Sequence, residues 1–188
     1  MPMDVTLDIA LLSERAESSA SGSERMRHIF AQHYSGVWRF LRRMGLEPDR
    51  ADDAAQSVFL VALEALPRIA DGSERPFLFS TAVRMVFGLR RKRAREVLSE
   101  ELDAGQSPMP SPEQMADQKR AREILDYLVD RMDLDERTVF VLAEFEEFKV
   151  SEIAQLLGVP VGTAASRLRR ARGRFREDVD RVFGGNHG

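Results

Sequence analysis

The side chains that most often carry out chemistry in proteins are scarce or badly spaced in this 188-residue chain. There is no cysteine, and the three histidines, His28, His33 and His187, show no metal-ligand spacing. No GxxxxGK or GxGxxG string occurs, so the glycine-rich phosphate loops of nucleotide enzymes are missing. The carboxylates lack the apolar flanks that general acids and bases need. We therefore predict no enzymatic activity, no catalytic residue, no metal and no cofactor.

Arginine is the residue type whose spacing does indicate a chemistry. Six arginines fall between Arg167 and Arg176, and arginine binds DNA phosphates and, bidentately, the edge of guanine. The nearest acids along the following chain begin only at Glu177, so a surface neutralised by acids is the less favoured interpretation. We expect the six arginines to face outward, toward DNA.

Residues 150–176 predict the helix-turn-helix that would present these arginines. Ser151 is expected to cap the first helix, Gly158 to supply a left-handed turn residue, and Pro160 to start the second helix. The second helix then buries one stripe, Ala164, Leu168, Ala171 and Phe175.

A second basic helix is predicted from Ser73 or Glu74 to Arg95. Its inward face is expected to be Leu78, Ala82, Met85 and Leu89. Phe77 and Phe79 precede its arginines, and exposed aromatic rings beside arginines bind unstacked bases of single strands. Both phenylalanines fit a protein core equally well, and the basic end also suits the helix dipole.

Two further helices are predicted nearer the N-terminus, from Met26 to Gly45 and from Asp49 to Leu66. In the second, Asp52, Asp53, Gln56 and Leu60 lie away from the alanine stripe. Acids in a first turn favour the helix dipole whatever the function, so this pattern alone indicates little.

The organisation that follows is all-α, with two small helical domains on a flexible, acidic linker containing proline. No segment alternates like a strand, and no run approaches the roughly 20 apolar residues of a membrane span. We expect no membrane insertion and a cytoplasmic location. The predicted parts are a loose tail (1–24), a first domain (25–95), the linker (96–118), a second domain (119–183) and a C-terminal tail (184–188).

Three segments together resemble one family. In order they are ADDAAQSVFLVALEAL, FLFSTAVRMVFGLRRKRAR and LDERTVFVLAEFEEFKVSEIAQLLGVPVGTAASRLRRAR, the last preceded by a proline-rich stretch with SPEQ. The set resembles the sigma-70 family of RNA polymerase sigma factors, in its extracytoplasmic function group, over about residues 26–180. This resemblance implies a bundle called region 2 in the first domain and a helix-turn-helix region 4 in the second.

The resemblance also implies partners and residue roles. The protein would bind core RNA polymerase, recognise the minus 10 and minus 35 promoter elements, and assist promoter melting, and an anti-sigma factor is a further candidate partner. Matching positions assign core-polymerase binding to Asp52, Asp53, Gln56 and Phe59. They assign the minus 10 element and melting to Phe77, Arg84, Arg90 and Arg91. They assign the minus 35 element to Thr163, Ser166, Arg167, Arg170 and Arg174.

The chain departs from the family pattern at several of these positions. Phe77 stands where tryptophan is usual, Arg84 where asparagine is usual, Gly88 where aspartate is common, and Ala165 where a basic residue is usual. The promoter sequence that relatives prefer is therefore not expected to apply to this chain. The rival function is a stand-alone helix-turn-helix regulator that binds duplex DNA. The net charge of −3 predicts that the free protein binds duplex DNA poorly.

Overall fold

In the residues that the computed structural model describes, 5–97 and 118–184, the protein forms seven α-helices and no strand. The all-α prediction is confirmed. A short 3-10 turn at Leu66–Arg68 follows the second helix. The helices are α1 (Val5–Arg43), α2 (Pro48–Ala65), α3 (Glu74–Val97), α4 (Gln118–Asp130), α5 (Leu134–Glu144), α6 (Val150–Leu157) and α7 (Val161–Gly184).

The first helix differs from its prediction at the N-terminal end. It begins at Val5, so residues 5–24 are helical where a loose tail was expected. No glycine or proline interrupts residues 5–21, and serine, alanine and glutamate are tolerated in helices, so the polar composition alone was a poor guide. The other end is as predicted, since α1 stops before Gly45, which takes the left-handed conformation with a φ of 85°.

Helices α1, α2 and α3 form the first group around fully buried apolar side chains. Val37, Leu41 and Met44 of α1 meet the alanine and valine stripe of α2 and the inner face of α3. The buried part of α3 ends at Val86. Leu89, predicted to face inward, is 43% exposed because it lies beyond that packed part.

Helices α4 to α7 form the second group. Gly158 ends α6 with a φ of 65°, as the turn requires, and Ala164, Leu168 and Ala171 of α7 are buried as predicted. The predicted cap is wrong, because α6 begins at Val150 and Ser151 lies inside its first turn. The backbone N–H of Lys149 instead donates to Oε2 of Glu152 at 2.7 Å.

The two groups pack against each other through α1 and α3 of the first group and the segment between α5 and α6 of the second. The rings of Phe79 and Phe148 meet edge to face with centroids 5.2 Å apart. The guanidinium of Arg75 lies over the Phe148 ring and that of Arg43 over the Phe145 ring, each 4.1 Å from the ring centroid. Glu146 is buried in the same contact, with carboxylate oxygens 3.9 Å from a terminal nitrogen of Arg43 and of Arg75.

Candidate nucleic-acid interface

Helix α7 carries the arginines, and α5 determines how they are held. Asp135 of α5 lies 2.5 Å from Arg167, and Oε1 of Glu136 accepts a 2.8 Å hydrogen bond from Nε of Arg170. Asp133, just before α5, accepts from Arg174 at 2.9 Å, and Glu144 from Arg172 at 2.8 Å. The hydrogen bond to Asp133 raises the pKa of Arg174 above its ordinary value.

These contacts correct the expectation of unpaired arginines. The acids that follow the arginines in the chain begin only at Glu177, whereas the paired acids come from α5 and from Asp133 just before it, which pack across α7. Arg169 and Arg176 behave as expected. Both are exposed, and neither has an ion-pair partner in the part of the chain that the structure describes.

Arg169 was absent from the predicted minus 35 residues, and the helical period could have found it. At about 100° per residue it points roughly 130° away from the buried stripe. The predicted residues Thr163 and Ser166 lie half-buried in the first turns of α7. The Ser166 hydroxyl donates to the Thr163 carbonyl at 3.0 Å, which fixes that side chain locally.

The arginines that were predicted to serve the minus 10 element lie on two different sides of α3. Arg84 and Arg91 are exposed and, seven positions apart, lie on one face. Nη2 of Arg84 donates to the Thr81 hydroxyl at 3.1 Å. Arg90 is also exposed, but it points about 120° away from Arg84 and lies beside the Gly45 corner, where an added Cβ would sit 3.3 Å from its Nη2.

The two phenylalanines at the start of α3 have different environments. Phe79 is in the core, packed on Phe40 and Phe148, so the core interpretation holds for it. Phe77 is only half-buried and lies on the same side of α3 as Arg84 and Arg91. Phe77 is therefore the aromatic side chain that remains available beside the arginines.

Helix α2 presents a mixed polar and apolar face to solvent. Asp53 and Gln56 are exposed, and Leu60 on the same side is 61% exposed. Leu63, also exposed, extends the face and was missed by sequence reasoning. We call Asp53, Gln56, Leu60 and Leu63 the α2 face.

The other two residues predicted for core-polymerase binding are tied to α1. The Tyr34 hydroxyl donates to Oδ1 of Asp52 at 3.0 Å, and burial together with this bond raises the pKa of Tyr34. Phe59 is 4% exposed and packs edge to face on Phe30, with ring centroids 5.0 Å apart. Both side chains therefore hold α2, and with it the α2 face, against α1.

The described residues contain no group of three or more histidine, aspartate or glutamate side chains that could hold a metal ion. No described helix is both long enough and apolar enough to cross a membrane. The class that the geometry defines is a two-region helical protein with a helix-turn-helix, a second basic helix and an exposed mixed face.

Comparison with known proteins identifies the family. The chain matches the family models described as "Sigma-70 region 2" over residues 29–96 and "Sigma-70, region 4" over residues 122–175. It is 30% identical over 164 residues to the ferric citrate uptake sigma factor FecI of Escherichia coli (strain K12), covering 85% of this chain and 92% of that protein. It is 26% identical over 179 residues to the ECF RNA polymerase sigma factor SigE of Mycolicibacterium smegmatis, covering 94% of this chain and 69% of that protein.

A solved structure shares the fold. The sigma factor RpoE from Bartonella quintana, in complex with the anti-sigma factor NepR, superposes with a TM-score of 0.71 at 19% identity, covering 84% of this chain and 98% of that one. The chain belongs to the sigma-70 family, in its extracytoplasmic function group. It is a sigma factor that directs RNA polymerase to promoters, and the stand-alone regulator is not favoured.

Proposed function

We propose that this sigma factor divides its work among three helices. The α2 face binds core polymerase, α3 serves the minus 10 element and melting, and α7 recognises the minus 35 element. The observation that carries the proposal is the separate exposure of three surfaces that the folding of each helix does not use. They are the α2 face, the Arg84 and Arg91 face of α3, and the outward side of α7.

In the polymerase contact, Asp53, Gln56 and Leu60 would touch the partner directly. Apolar side chains exposed beside polar ones are typical of protein interfaces, where a buried apolar centre is surrounded by a polar rim. Asp52 and Phe59 would act by holding α2 in place, since their side chains contact α1.

In promoter melting, Phe77 would stack on an unpaired base while Arg84 and Arg91 hold the displaced strand. Arg90, on another side of α3, would contribute general positive charge. In region 4, Arg170 and Arg169 would contact the major groove, with Thr163 and Ser166 beside them. Arg167 and Arg174 would contact DNA only after exchanging their acidic partners for phosphate.

The packing between the two helix groups must open when the promoter is bound. The minus 10 and minus 35 elements lie about 25 base pairs apart, which at about 3.4 Å per pair is roughly 85 Å. Phe79 of α3 and Phe148 before α6 are in contact here. The 20 residues between Val97 and Gln118 have a maximum length of roughly 70 Å, so the two regions themselves would have to cover the rest of the distance.

Further partners and the location follow from the same proposal. The matched structure of RpoE holds an anti-sigma factor, and we extend that kind of partner to this chain. The protein would work in the cytoplasm, where core polymerase is found, without catalysing a reaction of its own.

Run-off transcription with purified core polymerase tests the function. Promoter-specific transcripts should appear only when the protein is added. Asp53→Arg should abolish core binding in a pull-down and leave the protein folded. Glu47→Arg, which makes the same change of charge at an exposed corner before α2, is the matched control and should bind normally. Tight sequence-specific binding to duplex DNA, with no transcripts from core, would favour the stand-alone regulator instead.

A further inference from the structure

The buried carboxylate of Glu136 is the feature that the functions above leave unexplained. Its side chain is 7% exposed, on the first turn of α5, beneath the outward part of α7. Oε1 accepts the hydrogen bond from Nε of Arg170, while Oε2 lies 3.2 Å from Nη1 of Arg174 and accepts no hydrogen bond from the described residues. Burying a carboxylate costs free energy, so the buried carboxylate beneath α7 requires an explanation.

The way in which Arg170 is held differs from the way in which its neighbours are held. The hydrogen bond that Glu136 accepts from Arg170 is made by Nε, which is also the nitrogen of their ion pair. Arg167 is held by a terminal nitrogen, and Arg172 by both Nε and a terminal nitrogen. A hydrogen bond through Nε allows Arg170 to turn its two terminal nitrogens toward guanine O6 and N7.

Exposure distinguishes Arg170 from Arg167 but not from Arg172 and Arg174, whose side chains are 51% and 48% exposed. The Arg170 side chain is 54% exposed, whereas that of Arg167 is 22% exposed. A long side chain normally loses much rotamer freedom when it binds DNA. Because the hydrogen bond to Glu136 already restricts Nε of Arg170, part of that entropy is lost before DNA binds.

We propose that Glu136 is a positioning residue for promoter recognition, which fixes the Arg170 guanidinium so that its two terminal nitrogens face the base edges of the minus 35 element. This rests on the proposed function of α7. Glu136 itself touches no DNA. Its effect is on which bases are preferred, and it acts only through Arg170.

The test is selection from promoters randomised in the minus 35 element, using holoenzyme reconstituted with the full chain. Arg170→Ala should reduce discrimination at one or two base positions by about 5- to 150-fold. Glu136→Ala should relax the same positions by about fivefold or more, and the double variant should be no worse than Arg170→Ala. Glu136→Gln should retain preference, because its amide oxygen still accepts the Nε bond.

Two controls keep the test decisive. Glu144→Ala releases Arg172 from a comparable ion pair and should leave base preference unchanged. Arg170→Lys keeps the charge but replaces the planar pair of nitrogens with a single ammonium, so it should weaken the base preference. This readout does not depend on whether Glu136→Ala folds.

Three results would overturn the positioning role. They are equal weakening on every minus 35 sequence by Glu136→Ala, additive effects in the double variant, and unchanged preference in Arg170→Ala. Each of these results would be obtained with holoenzyme that still initiates transcription, so the proposed function itself would stand. Failure of the wild-type chain to initiate with core would instead reject the proposed function itself.

Discussion

Gly88 stands in the middle of α3 without a packing reason. A Cβ built at this position meets no atom within 4 Å. Its residue number places it on the side of the helix that carries Arg84 and Arg91. Neither a close neighbour nor a left-handed backbone requires glycine here, so we propose that Gly88 leaves room for DNA to approach α3.

We expect Gly88→Ala to separate stability from activity. Alanine should raise the free energy of unfolding by about 1 kcal/mol, which urea denaturation measures. Promoter opening should fall, because the methyl group occupies space where the strand approaches, and permanganate footprinting reports it. Normal activity on a pre-opened bubble template is the control. Unchanged opening on duplex DNA would show that the glycine has no role in DNA contact.

Arg169, like Arg176, has no acidic partner to release among the described residues. Arg169→Ala should weaken promoter binding by holoenzyme by about 1–3 kcal/mol, as measured by filter binding. Arg172→Ala, which removes an arginine already bound to Glu144, is the matched control and should change binding much less. Equal losses in the two variants would mean that only total charge matters.

At the scale of single helices, the α2 face combines exposure with apolar character. Leu60→Ala should change the free energy of unfolding by less than about 0.5 kcal/mol, since the side chain is mostly in solvent. Core-polymerase affinity should nevertheless fall, which a pull-down or titration with labelled core would measure. Val58→Ala provides the contrast. This side chain is fully buried, so its truncation should lower stability without a specific loss of core binding.

Features within a single helix could be predicted from the sequence, whereas contacts between helices could not. The bounds of α2 and α3 were predicted within two residues, and α6 and the start of α7 lie inside the predicted helix-turn-helix, because apolar spacing and turn residues are local signals. Helix α7 continues to Gly184, past the predicted end at residue 176. The pairing of α7 with Asp133, Asp135 and Glu136 could not be predicted, because the spacing of residues along a chain does not show which helices will pack together. The missed Leu63 has a different origin, because its position about 100° from the alanine stripe is a local signal that could have marked it as exposed.

At the scale of the whole molecule, Glu146 connects the two helix groups at a cost. Burial raises the pKa of its carboxyl above the ordinary value, against the opposing effects of Arg43, Arg75 and Arg39 and with a small contribution from Glu147. The two ion pairs, at 3.9 Å, are too long to compensate. A carboxyl with a raised folded pKa destabilises the folded state once it ionises, so stability falls as pH rises from the unfolded to the folded pKa.

We expect Glu146→Gln to raise the melting temperature at neutral pH and to remove this pH dependence, as followed by circular dichroism over roughly pH 4 to 8. Asp71→Asn, which changes an exposed acid, is the control and should leave the pH dependence in place. A lower melting temperature in Glu146→Gln would show that its ion pairs outweigh the burial cost.

The acids that face α7 also set how many ions leave when DNA binds. Each arginine that neutralises a phosphate releases about 0.9 of a condensed counterion, so six free arginines would give a logarithmic dependence on salt of about −5. Four of the six already have a carboxylate beside them, and only Arg169 and Arg176 bring uncompensated charge within the described chain. The contribution from α7 should then be nearer −2, so minus 35 binding would persist over a wider range of ionic strength than the arginine count suggests.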